Sequence, residues 1–200
     1  MDKINNDLGN MRDIFISYFD HIKNKYNAMS KETLFAGMII KKTIEYLETG
    51  AYVYRKKLIN VQISLIRLLC DNCLAIESCN EIGLQSVIDL IQNGEKVSSI
   101  MLDEEQNMSD GYLKRKVADK YKGFDRLYKF ACDSVHFSTQ TVKSVLEVDP
   151  TGRQSINVSV SSPELQEELK ANYQSMLVLS KIILDMLTKL LGWYKIIYDI

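Results

Sequence analysis

Residues 59 to 78, "INVQISLIRLLCDNCLAIES", restrict what this chain can become more than any other stretch. An α-helix turns about 100° per residue. On that projection Ile59, Val61, Ile63, Leu65, Ile66, Leu68, Leu69, Leu74 and Ile76 point in nearly every direction. A helix apolar around most of its circumference is stable only where other elements cover it. The stretch therefore predicts the central rod of a helical bundle, with the rest of the chain as its cover. One polar strip escapes this description. Asn60, Ser64, Arg67, Asp71 and Ser78 fall within ~60° of one another. A guanidinium buried without a partner is costly, so Arg67 needs an acid, and Asp71 one turn on is placed to supply it. The strip is either a structural ion pair or a polar seam facing a pocket or an anion.

The covering helices follow from the three- and four-residue spacing of apolar positions over 4 to 27 and 33 to 48. Ser30 in "MSKET" is a candidate N-cap for the second, and Gly50 in "ETGAY" its candidate stop. The rod then spans 52 to 79, and a short helix spans 84 to 93. "LDEEQNMSDG" reads as an acidic loop. Helix resumes near Tyr112, breaks around Gly123 and continues to about Phe137. In "TVKSVLEVDPTGRQSINVSVSS" the period changes. Alternation at Ile156, Val158 and Val160, beside the turn signature "DPTG", predicts a β-hairpin over about 142–160. "SSPE" restarts helix, with Ser162 as N-cap and Pro163 at the first helical position. The closing helix repeats apolar residues at Leu169, Tyr173, Met176, Leu177, Ile183, Leu184, Leu187, Leu190 and Leu191, a bundle-packing stripe. The expected fold class is all-α: an antiparallel helical bundle of about five to seven helices with a small inserted β-hairpin, one domain over 1–200.

Composition agrees and excludes several classes of function. With 46% hydrophobic and 26% charged residues and only two prolines, the chain is neither disordered nor fibrous. A formal net charge of -1 gives no overall pull toward nucleic acid, so any such role must be local. "MDKINNDLGNMRDIF" lacks the apolar run of a secretory signal. The greasy end, "LVLSKIILDMLTKLLGWYKIIYDI", is interrupted by Lys181, Asp185, Lys189 and Lys195. Each charge at bilayer depth costs at least ~2.5 kcal/mol, which favours a bundle helix over a membrane span. A cytoplasmic protein with no membrane partner is the expectation, its cysteines (Cys70, Cys73, Cys79, Cys132) reduced.

Candidate chemistry concentrates in two places. His136 lies in "YKFACDSVHFS", where Phe124, Leu127, Ala131 and Val135 make the buried stripe and Tyr128 its edge. Cys132 and His136 lie further round, His136 ~120° from the stripe centre, a boundary position where an imidazole can exchange protons. A packed ring is the plain alternative, and His21 reads as structural. Cys70 with Cys73, and Cys132 with His136, are zinc-type ligands at helical spacing. Cysteine is more often a small core hydrophobe, so no metal is expected, and no cofactor. Neither a nucleophile turn nor a phosphate-cradling glycine loop appears. The second place is a basic cluster, Lys114, Arg115, Lys116, Lys120, Lys122, Arg126 and Lys129, against only Asp119 and Asp125. Tyr112, Tyr121, Phe124 and Tyr128 interleave with it, as in surfaces that grip phosphates and stack on unpaired bases. A solvated helix face with its aromatics turned inward is the alternative.

Together these residues resemble a group of uncharacterised bacterial all-α proteins. "SLIRLLCDNCLAI" matches their central helix, and Tyr128, Cys132, His136, Phe137 and Ser138 match a later Tyr, Ser or Cys, His, aromatic or Pro, Ser pattern. The match rests on about six positions within roughly residues 30 to 195. That group looks like part of the HEPN superfamily (higher eukaryotes and prokaryotes nucleotide-binding), whose members are all-α, often dimeric, and in many cases metal-independent ribonucleases of toxin and phage-defence systems. The resemblance implies RNA or a nucleotide as partner, a homodimer, and a catalytic set of Arg67, His136, Asp71 and Tyr128. The superfamily's nuclease motif sets an Arg four to six residues before the His; here the nearest is Arg126, ten positions upstream, so Arg67 would supply the guanidinium from a neighbouring helix. A non-catalytic dimerising module that binds a protein or small ligand is the other expectation.

Overall fold

Two of the helices start at serine caps. The computed structural model describes residues 2–27, 29–103, 106–135, 146–148, 150–156 and 163–191. Among these are seven α-helices: α1 (Asp2–Tyr26), α2 (Lys31–Arg55), α3 (Ile59–Ile82), α4 (Leu84–Gln92), α5 (Asp110–Lys120), α6 (Phe124–Val135) and α7 (Pro163–Leu190). Ser30 caps α2 by accepting a hydrogen bond from the Thr33 amide, and Ser109 caps α5 by accepting one from that of Tyr112. Gly123 takes a φ of 89° between α5 and α6, a conformation that costs a side chain dearly.

The molecule is an all-α bundle with α3 as its rod, packed against α2, α4, α5, α6 and α7, while α1 lies on α2 and α7. Ile66, Leu69 and Ile76 of α3 are fully buried, among Phe15 and Ile22 of α1, Phe35 and Leu47 of α2, and Tyr173 and Ile183 of α7. By length and mean hydropathy α3 is also a membrane-span candidate, and 56% of that apolar window is buried inside the bundle. The rod is not covered on every side, however. Val61 is 43% exposed and Leu68 39%, so the rod has an open face beside Asn60, Ser64, Arg67 and Asp71, whereas Ser78 at the far end of the strip is buried.

The boundary between the second and third helices differs from the sequence expectation. Gly50 does not stop α2; it lies inside it, buried, where a Cβ would come 2.5 Å from Met176 Cε on α7. The glycine serves close helix approach, not termination. The stop falls seven residues later, at Lys57, whose φ is 57°. There the Lys57 amide donates to the Tyr54 carbonyl and the Leu58 amide to the Val53 carbonyl. That is the double bond of a Schellman ending, made with lysine where glycine is usual.

The inserted hairpin is present as β1 (Leu146–Val148) and β2 (Gln154–Ile156), antiparallel, with Leu146 opposite Ile156. Gly152 takes a φ of 83° in the intervening turn. Phe137, Val158, Val160 and Ser162 lie outside the described residues.

Candidate functional site

The site is built where α3, α5 and α6 meet. Phe124 and Ala131 bury one face of α6, and Leu113 and Val117 one face of α5. This packing turns Tyr128 and Cys132, one helical turn apart, toward Arg67 on the rod. The Arg67 side chain is 18% exposed, and its guanidinium meets partners from three helices. Nη1 pairs with Asp71 Oδ1, the i,i+4 partner on the same helix. Nε donates to Cys132 Sγ at 3.1 Å. Nη2 donates to the Tyr128 hydroxyl oxygen at 2.6 Å and to Asp110 Oδ2 at 3.2 Å. The guanidinium carbon also stands 4.3 Å from the centroid of the Tyr128 ring.

Burial acts on the phenol of this cluster. Burial pushes the Tyr128 phenol well above its ordinary range, with Asp110 and Cys132 adding to the rise and Arg67 opposing it. The phenol thus keeps its proton and donates it to Asp110 Oδ2 at 3.3 Å. Neighbouring Cys70, on the buried side of α3, is pushed up to about 12, chiefly by burial, although Arg67 pulls the other way. A guanidinium beside a neutral phenol is a donor pair suited to an oxyanion.

Arg67, Asp71 and Tyr128, three of the four residues expected to be catalytic, are therefore together. The fourth, His136, lies outside the described residues; it follows Val135, the end of α6, and is four positions beyond Cys132 in the chain. Asp110 was not expected. It is the first residue of α5, yet the sequence alone places it in an acidic loop. The missed signal was Ser109, whose N-cap position makes the next acid a first-turn residue.

The basic cluster divides in two. Lys114 pairs with Asp125 at 2.6 Å, Lys116 with Glu81 at 3.6 Å, and Lys120 with Glu77 at 2.6 Å. Glu77 is wholly buried on α3, so Lys120 is tied to balancing it. Arg115, Lys122, Arg126 and Lys129 are exposed and in no ion pair among the described residues. The interleaved aromatics follow the alternative reading and turn inward. Phe124 and Tyr128 are buried, the Tyr112 hydroxyl donates to Glu81, and that of Tyr121 donates to Asp185. Their apolar faces pack into the bundle because burial there is worth more than exposure to water. An open cleft of about 330 Å³ lies at Arg115, lined also by Tyr112, Lys116, Asp119 and Asp125.

No family model, curated protein or solved structure matches this chain. Its site has to be read from its own chemistry. Among the described residues, no group of three or more His, Cys, Asp or Glu side chains could hold a metal ion. What the geometry offers instead is a fixed guanidinium, a protonated phenol and a nearby surface of free cations.

Proposed function

We propose that this chain is an RNA-directed, HEPN-like helical protein, a metal-independent ribonuclease or RNA-binding protein of a defence or toxin-like system. The observation that carries the reading is the convergence of Arg67 with Tyr128 and Cys132, which sets the rod's guanidinium against the helix that leads into His136. In this reading His136 exchanges a proton with the 2′-hydroxyl or the leaving oxygen, and Arg67 stabilises the charge that develops on phosphorus. The grip on the backbone falls to Arg115, Lys122, Arg126 and Lys129, since the other cations are held by acids.

The test is binding and cleavage of single-stranded RNA across a salt series. Changing those four cations to Ala is expected to weaken binding and flatten the slope of log affinity against log salt by about 3, at roughly 0.7 per phosphate contact on a single strand. His136→Ala and Arg67→Gln are expected to abolish cleavage and leave the far-ultraviolet spectrum and melting temperature near those of the wild type. RNA binding with an unaltered salt slope in the four-site variant would remove the proposed interface.

An interaction module formed by two copies of the chain is the second reading. It draws on an apolar groove of about 350 Å³ between α1 and α2, lined by Ile16, Phe19, Gly37, Ile40 and Ile44. Ile16 is 46% exposed there. Absence of any salt-dependent RNA binding by the wild type would favour this reading over the first.

A further inference from the structure

Arg67 is over-compensated, and the way it is over-compensated is informative. One cation faces two carboxylates, Asp71 and Asp110, but the two are held differently. Asp71 sits one turn away on the same helix and takes Nη1. Asp110 reaches in from α5, 43 positions along the chain, and takes Nη2. Its oxygen lies 3.2 Å from Nη2 and 3.3 Å from the Tyr128 hydroxyl. Charge-assisted bonds of these types normally close to about 2.7–2.9 Å and 2.5–2.7 Å. The Asp110 side chain is 59% exposed, so it can swing into water at small cost. If it left, Nη1 would keep Asp71, Nε would keep Cys132, and the plane would still lie against the Tyr128 ring. The seat would stay aimed while its occupant changed.

We propose that the Arg67 Nη2–Tyr128 hydroxyl pair is an oxyanion-binding site for a phosphate group, and that the Asp110 carboxylate is an internal competitor seated where a phosphate oxygen would bind. The inference rests on the RNA reading only for the source of the phosphate. Guanidinium and phenol supply donors that a phosphate oxygen accepts, and Lys114, whose Nζ lies 5.9 Å from the Tyr128 ring centroid, stands at the rim in its pair with Asp125. With Asp110 seated, the balance around Arg67 is negative and a phosphate is repelled. With Asp110 displaced, Asp71 neutralises the guanidinium and Lys114 is set against Asp125. Asp110 therefore sets the threshold of the site.

Two probes separate the source of the phosphate: a five-residue oligouridine and adenosine monophosphate, each titrated into the full-length protein at low salt. Asp110→Ala is expected to bind at least one of them about fivefold or more tightly than the wild type. The gain should vanish in the Asp110→Ala/Arg67→Gln double variant. Because a first-turn carboxylate also supports its helix, Asp110→Asn, which keeps the shape and drops the charge, is measured beside it and should gain in the same direction. A gain with oligouridine alone assigns the site to an RNA backbone, and a gain with the mononucleotide alone assigns it to a terminal phosphate and counts against the RNA reading. Affinities for both probes within about twofold of the wild type in Asp110→Ala and Asp110→Asn overturn the inference, as does a gain that survives loss of Arg67. Salt-dependent RNA binding through the four exposed cations would be untouched by that failure.

Discussion

Cys70, Cys73 and Cys79 are buried along α3, whereas Cys132 is half-exposed on α6 with its sulfur accepting from Arg67. Burial pushes Cys70 and Cys79 up to about 12 and Cys73 well above its ordinary value. Since only the thiolate is a nucleophile, those three should be silent toward alkylation at pH 8. Iodoacetamide on the folded protein is expected to add one group, at Cys132, and four after denaturation; mass spectrometry showing adducts on Cys70 or Cys73 before unfolding would contradict the packing of α3. Individual residues also mark how far the sequence could be read. The Arg67–Asp71 pair was legible because i,i+4 neighbours meet on any helix. Asp110 was not, because its contact with Arg67 depends on how α5 is rotated against the rod, which no local spacing encodes. The aromatics at 112, 121, 124 and 128 left two readings open for a related reason: interleaving with cations in sequence says nothing about which face of the helix turns inward.

At the level of elements, the side-chain cap of α2 was legible, while that of α5 and the backbone-only ending of α2 were not. Ser30 announces the start of α2 by chemistry any reader can see. Gly50 suggested a stop, but it sits where α2 and α7 touch through Met176. Termination was left to Lys57, which carries no breaker signal and holds a left-handed φ of 57°. For a residue with a Cβ that conformation costs about 1–2 kcal/mol, and glycine avoids it. Lys57→Gly should therefore stabilise the protein despite the added freedom of its unfolded chain, by about 0.5–1 kcal/mol. In a chain of this size that is a rise in melting temperature of about 1–4 °C. The side chain should not be missed, since Lys57 forms no ion pair among the described residues. A β-branched Lys57→Val should move the melt the other way, and a Lys57→Gly protein that melts at or below the wild type would mean the Schellman ending is not what holds the α2–α3 corner.

On the scale of the whole molecule, the apolar rod was the feature that made the bundle readable, and it also gathers ionisable groups into one dry core. Cys70 and Cys79 on α3 and Tyr18 on α1 are all nearly inaccessible, and burial raises each to about 12, from 9.0 for the thiols and 10.0 for the phenol. A buried acid whose pKa is raised keeps its proton in the folded state while the unfolded chain releases its own. Stability that is intact below pH 9 is then lost as pH climbs toward 12, first through the thiols and above pH 10 through Tyr18 as well. Each such group steepens the loss by up to about 1.4 kcal/mol per pH unit. Urea unfolding at pH 8, 9, 10 and 10.5 should show a flat region followed by a fall. The assignment can be separated from general alkaline repulsion, because Cys70→Ala/Cys79→Ala removes two of the three buried thiols. That variant will be less stable at pH 8, where a cavity is its only defect, yet its stability should fall less steeply above pH 9, so that the two curves converge. Parallel curves would mean the thiols are not what the alkaline limit reports, and that the core around α3 is wetter than its packing implies.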